Sequence, residues 1–134
     1  MQSLKDTIAA ISTPRGIGAI AIVRMSGTNS IDIAEKIFVP AKKEKKFQPG
    51  FAYFGNIVDP FSNDSLKNID QVVLTYFKTP RSYTGDDVIE ISCHGGLFVV
   101  QEILDLILRA GARLADPGEF TLRAFLNGKL DLVQ

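Results

Sequence analysis

Residues 87–96, DVIEISCHGG, decide how the rest of the chain is read. In an extended chain Ile89, Ile91 and Cys93 point to one side, and Glu90, Ser92 and His94 point to the other. This alternation, rich in β-branched residues, predicts a strand over 87–93 with one apolar face. Gly95 and Gly96 then turn the chain into a long helix whose Val100, Ile103, Leu104, Ile107 and Leu108 share one face. Gly111 follows its last turn as a C-cap.

Four more runs read as strands: 7–12 (TIAAIS), 19–25 (AIAIVRM), 51–58 (FAYFGNIV) and 71–78 (QVVLTYFK). Pro14, Gly16 and Gly18 make the first turn. Ser26-Gly27-Thr28-Asn29 offers helix caps, Ile31, Ala34, Ile37 and Phe38 follow at helical spacing, and Pro40 is the stop. Residues 41–50, AKKEKKFQPG, form a charged loop that is either a solvated connection or a phosphate-binding patch. Residues 60–65 are turn formers. Pro117, Gly118 and Glu119 open a shorter helix over about 118–127. Strands and helices alternate irregularly, which predicts an α+β fold with a mainly antiparallel sheet and two or three helices. LDLVQ (130–134) reads as the first turn of a further apolar helix, so the chain is expected to be a piece of a longer protein.

The 134 residues suit one domain with a substantial core, at 46% hydrophobic and 22% charged. Lys plus Arg and Asp plus Glu both number 15, a balance that argues against a large basic face for nucleic-acid phosphates. One cysteine, Cys93, excludes an internal disulfide, and one histidine, His94, excludes a histidine-rich metal site. No apolar run approaches the ~20 residues of a membrane span, and the N-terminus lacks the centre and cleavage site of a signal peptide. A reducing, cytoplasmic setting is therefore expected.

Several motifs mislead. No GxxxxGK[ST] phosphate loop is present. Asn127-Gly128-Lys129-Leu130-Asp131 resembles a guanine-reading Asn-Lys-x-Asp pattern, but Gly128 separates the first two. Gly16-Ile17-Gly18 lacks the third glycine of a dinucleotide fingerprint and precedes a strand. Cys93 and His94 fall on opposite faces and cannot readily share a proton, so Cys93 reads as a small buried apolar residue.

Three charged residues stand out. A carboxylate inside an apolar strand is costly to bury unless paired, so either the Glu90 face is wet or Glu90 meets a specific partner. Arg24 shares a face with Ile20 and Ile22, where an arginine snorkels or pairs with a carboxylate. Lys129 sits in the Asn127-Gly128 turn, an ordinary place for an exposed lysine. Pattern alone does not bring the three together.

The segments 6–27 (DTIAAISTPRGIGAIAIVRMSG), 82–96 (SYTGDDVIEISCHGG) and 113–134 (RLADPGEFTLRAFLNGKLDLVQ) resemble the MnmE/TrmE family, the tRNA uridine 5-carboxymethylaminomethyl modification GTPases. Asp86 stands where the family usually has Glu, and residues 39–70 carry no family signal. The resemblance implies a folate-binding, homodimerising N-terminal domain over 1–127, with the fold of the tetrahydrofolate-binding domain of glycine-cleavage T-proteins, and the start of a helical domain over 128–134. It implies that Arg24, Glu90 and Lys129 contact a tetrahydrofolate (5-formyl- or 5,10-methylene-). His94, Gly95 and Gly96 either bring bare backbone close to that ligand, since glycine permits close approach, or the glycines only allow the strand-to-helix turn. Glu90 would accept the pterin N–H donors, and Arg24 or Lys129 would meet the carboxylates of the glutamate tail. No catalytic apparatus is expected in these residues. GTP, magnesium and potassium sites would belong to the parent GTPase. That parent would work with an FAD-containing partner of the MnmG/GidA type on the wobble uridine of tRNA. Two other readings remain: a pure interaction module without ligand, and a stand-alone folate-dependent transferase, which the short length disfavours.

Overall fold

The computed structural model describes residues 6–12, 20–43, 46–63, 67–78, 84–94 and 96–128. Among them a seven-stranded sheet runs in the order β3-β4-β5-β6-β2-β1-β7. Its strands are β1 (Ile8–Ser12), β2 (Ala21–Ser26), β3 (Phe38–Pro40), β4 (Ala52–Asp59), β5 (Lys67–Phe77), β6 (Val88–Cys93) and β7 (Arg113–Leu114). Neighbours are antiparallel except β1 and β7, which run parallel. The helices are α1 (Ser30–Ile37), α2 (Gly96–Arg109) and α3 (Glu119–Leu126). Among the described residues the chain adopts the expected α+β fold with a mainly antiparallel sheet and, of the two or three helices expected, three.

Alternation sorts the sheet into two faces. Val23 and Met25 of β2, Leu74 of β5, and Ile89, Ile91 and Cys93 of β6 are all fully buried. They meet Ile33 and Ile37 of α1 and Val100, Ile103, Leu104, Leu106 and Ile107 of α2 in one core. Each such side chain contributes about 1.5–3 kcal/mol relative to exposure. The apolar stripe expected on α2 is the one buried, with Leu106 joining it and Leu108 only partly covered. α2 stops at Arg109, and Gly111 and Ala112 donate their N–H groups back to Leu108 and Ile107. On the opposite face the side chains are wetter, with Ile20 44% exposed and Phe54 56%.

Local expectations fail at three places. The first helix does not continue to Phe38, because Phe38 adopts extended angles and begins β3. Its ring is buried and packs against Phe47, while Pro40 sits on an edge strand, where a missing N–H is tolerated. Residues 67–70 are not loop: they pair with Ile57–Asp59, and the polar KNID run hides this because it lacks apolar alternation. Finally, β7 is two residues long and exists only through its pairing with Ile8 and Ala9. Asn29 occupies the cap position of α1 without a side-chain cap hydrogen bond, and its own backbone N–H donates to Thr7 Oγ1.

The loop at 41–50 exposes Lys42, Lys43 and Lys46, as a charged connection should. It is nevertheless fastened, since Phe47 packs edge-on against Tyr53 and Gly50 donates to the carbonyl of Tyr76. Among the described residues no helix is long and apolar enough to cross a membrane.

Candidate functional site

Arg24 and Glu90 are 66 positions apart in sequence and directly opposite in register across β2 and β6. Because both belong to the wetter face, their side chains meet there, with Arg24 Nη2 donating to Glu90 Oε1 at 3.4 Å. Each side chain is 22% exposed, so neither charge is fully dehydrated. The contact is long for a charge-assisted hydrogen bond, which is ordinarily about 2.7–2.9 Å. Ala10 of β1 lies across from Arg24, and Thr75 of β5 lies across from Glu90. The guanidinium carbon of Arg24 is 5.7 Å from the centre of the Phe120 ring of α3.

The position of α3 is fixed by charge. Arg123 is 1% exposed and donates to the backbone oxygen of Asp6 at 2.7 Å and to its Oδ1 at 2.6 Å. Glu119, one helical turn before it, takes Arg113 Nη2 at 2.6 Å and Nη1 at 3.0 Å, and its Oε2 lies 3.4 Å from Arg123. Arg113 also reaches Asp6 Oδ2 at 2.8 Å. The Arg113 hydrogen bonds hold the carboxyls of Asp6 and Glu119 below their ordinary values, although burial pushes the other way. Two acids and two arginines thus tie α3 to the start of β1 and to β7. Pairing of this kind is the structural role expected of residues such as Glu119 and Arg123 in a helix, at i and i+4.

The turn at 84–86 closes the same end. Thr84 shares a hydrogen bond of 2.7 Å with Ser26 Oγ, and its carbonyl accepts Asn127 Nδ2 at 2.8 Å. Gly85 has φ +85°, and a Cβ there would come within 2.6 Å of Asn127 Cβ. Burial raises the Asp86 carboxyl above its ordinary value. The three sequence segments with the strongest motifs therefore converge at one end of the sheet, on Asp6, Thr84 and α3.

The structure brings Arg24 and Glu90 together. Lys129 and Gly95 lie outside the described residues. His94 is exposed and follows the end of β6, about 13 Å along the strand from Glu90 at 3.3 Å per residue. Gly96 starts α2 at φ +79°, the left-handed region that a strand-to-helix turn requires of glycine. Cys93, beside it, is buried, donates to the carbonyl of Ala21 at 3.4 Å, and has its thiol pushed up to about 11, chiefly by burial. It is a core residue. Among the described residues no group of three or more His, Cys, Asp or Glu side chains is placed to hold a metal ion.

Sequence reasoning missed Phe120, Asp6 and Arg113. The i, i+4 spacing of Glu119 and Arg123 gave a local signal. The pairing of Asp6 with residues 107 and 117 positions later in the chain gave none.

Residues 7–129 match the model of a family described as "GTP-binding protein TrmE N-terminus". The chain is 50% identical over 133 residues to the tRNA modification GTPase MnmE of Carboxydothermus hydrogenoformans, covering 98% of this chain and 28% of that protein. It is 53% identical over 130 residues to the protein of the same name from Enterococcus faecalis, covering 96% of this chain and 27% of the relative. For the one from Bacillus subtilis the identity is 52% over 131 residues, covering 96% and 28%. The chain thus spans a little over a quarter of the length of these curated relatives.

Proposed function

Since the chain belongs to the MnmE/TrmE family as its N-terminal domain, we propose that it binds a reduced folate over Arg24 and Glu90 and pairs with a second copy of itself. The observation that carries this reading is the meeting of Arg24 and Glu90 on the open face of the sheet, in register and partly hydrated. A carboxylate there can accept two adjacent N–H donors of a pterin edge. Because Arg24 touches Glu90, it would sit at the pterin end as well. The carboxylates of the glutamate tail, at the other end of the ligand, would fall to another group such as Lys129. Each such charged hydrogen bond contributes on the order of 1.5–3 kcal/mol. Lys129, three residues after Leu126 in sequence, completes the set of proposed ligand residues.

In this reading the domain turns nothing over by itself. It presents one-carbon folate, as 5-formyl- or 5,10-methylene-tetrahydrofolate, to chemistry supplied by the rest of a tRNA modification GTPase. That parent would hydrolyse GTP with magnesium and potassium bound outside these residues. With an FAD-containing partner it would modify the wobble uridine of tRNA in the cytoplasm.

Isothermal titration of the chain with 5-formyltetrahydrofolate tests the reading. Saturable binding that is lost in Glu90→Ala and Arg24→Ala supports it, and absence of binding at millimolar ligand refutes it. Light scattering after size exclusion should give twice the chain mass at tens of micromolar protein; a clean monomer would count against the pairing.

A second reading, an interaction module without ligand, draws on the exposed Phe54, Val39 and Ile20, which lie on the same face of the sheet as the pair. It predicts the dimer and no folate binding.

A further inference from the structure

An open hollow of about 350 Å³ lies between α1, the loop at 41–50 and the end of β5. It is on the helix-bearing side of the sheet, away from the Arg24–Glu90 pair, and its size is at the lower end of small-ligand sites, about 300–1,000 Å³. Its apolar lining is Ile31, Phe47, Pro49 and the buried Tyr76. Its charged lining is Glu35, Lys46 and Lys78, all exposed. Among the described residues these three charges form no ion pair.

The loop is pinned where it borders the hollow. The Phe47 ring centre is 5.8 Å from that of Phe38 and 5.2 Å from that of Tyr53, and the Gly50 N–H donates to the Tyr76 carbonyl at 2.7 Å. The backbone beside Lys46 is thus held before any ligand arrives, which lowers the ordering cost of binding. Three chemistries meet here. The apolar lining can take a flat ring, and two ammonium groups attract phosphate. The Glu35 carboxylate repels phosphate but can accept from an exocyclic amino group, as glutamate does from cytosine N4. A nucleotide carries the complement of all three, whereas a plain anion has no use for Glu35. Lys42, Lys43, Lys45 and Lys46 against Glu44 add attraction for a longer polyanion. The zero net charge argues against a large basic face, not against one hollow.

We infer that this hollow takes one nucleotide of single-stranded RNA, with an amino-bearing base against Phe47 and Glu35 and its phosphate at Lys46 and Lys78. Unstacked bases of single strands are the part of RNA that proteins read in this way. The choice of RNA rests on the proposed role in tRNA modification, while the hollow is separate from the proposed folate residues.

Fluorescence anisotropy with labelled hexacytidylate and hexauridylate, at about 50 mM salt, tests it. The chain should bind hexacytidylate about threefold to tenfold more tightly, because uridine lacks the exocyclic amino group. Glu35→Ala should erase that difference. Lys46→Ala and Lys78→Ala should each weaken binding about threefold to tenfold and make the dependence of log K on log salt shallower by about 0.7. Lys67→Ala removes the same charge at the opposite end of β5 and should bind as the parent chain does. Equal loss in Lys67→Ala, equal affinity for the two RNAs, or no saturable binding of either would overturn the inference.

All the substituted side chains are exposed, so the fold should survive each change. Amide resonances of Phe47 and Lys78 should move when hexacytidylate is added to the parent chain; movement confined to Arg24 and Glu90 would overturn the hollow as the site. Titration of the lysine variants with 5-formyltetrahydrofolate separates the two readings. Folate binding that persists while RNA binding weakens supports the hollow. A parent chain that binds hexacytidylate but no folate refutes only the folate reading, and one that binds folate but no RNA refutes only the hollow.

Discussion

Replacing Arg123 by methionine tests the charge network that places α3. The guanidinium is 1% exposed, and two of its contacts, to the carbonyl and the carboxylate of Asp6, measure 2.7 and 2.6 Å. Methionine preserves much of the apolar stem and deletes the donors. Removing one member of a buried pair ordinarily costs about 3–5 kcal/mol, because the other is left buried and unsatisfied. Two features place this site at the lower end. Asp6 is 34% exposed and can be rehydrated, and Glu119 keeps Arg113 at 2.6 Å. The expected loss is therefore about 3 kcal/mol, which at a urea slope near 1.5 kcal/mol/M moves the midpoint down by about 2 M with the slope unchanged. For a chain of this length the melting temperature should fall by about 10 °C. Urea unfolding followed by circular dichroism makes the measurement. A loss below about 1 kcal/mol would show that the network is no stronger than a surface ion pair, and that α3 is held by apolar packing instead.

Acid should act on the same network. Asp6 and Glu119 titrate lower in the folded chain than their ordinary 3.8 and 4.5. Their contribution is complete above those values and disappears as the pH falls through the lowered ones. Stability should be flat from pH 7 to about pH 5 and decline below it, less steeply in Arg123→Met; an equal decline in both chains would refute the assignment. Cys93, buried and with its thiol raised to about 11, should react with a disulfide reagent at pH 8 orders of magnitude more slowly folded than in denaturant. Rapid labelling of the native chain would show that the core opens there. Gly55→Ala should destabilise by about 1–3 kcal/mol through overpacking, since its Cβ would collide with the Val39 carbonyl and stand 2.6 Å from the Phe38 ring. A neutral result in urea unfolding would mean that β3 is free to shift.

The alternation in 87–93 and in 19–25, and the helical stripe from Val100 to Leu108, were readable because each is a local period imposed by one buried face. They determined the α+β class, five of the strands and the orientation of α2. The same alternation set Glu90 with Ser92 and His94, and Arg24 with Ile20 and Ile22, each on one face of its strand, and left open whether those faces are wet. Cys93 was readable as core for the same reason. Where no local period exists, reading failed: polar 67–70 became strand by pairing with β4, Phe38 left its helix for an edge, and the two residues of β7 follow only from contact with β1.

Strand order and register are properties of the whole sheet, and they alone set Arg24 opposite Glu90 across 66 residues. The Asp6–Arg113–Glu119–Arg123 network and the Phe120 ring over Arg24 likewise depend on closing the chain over more than ninety residues. A periodic pattern tells each residue which way to face, because backbone geometry is local. Which charge it will face depends on how distant segments pack together, and that only the folded structure decided.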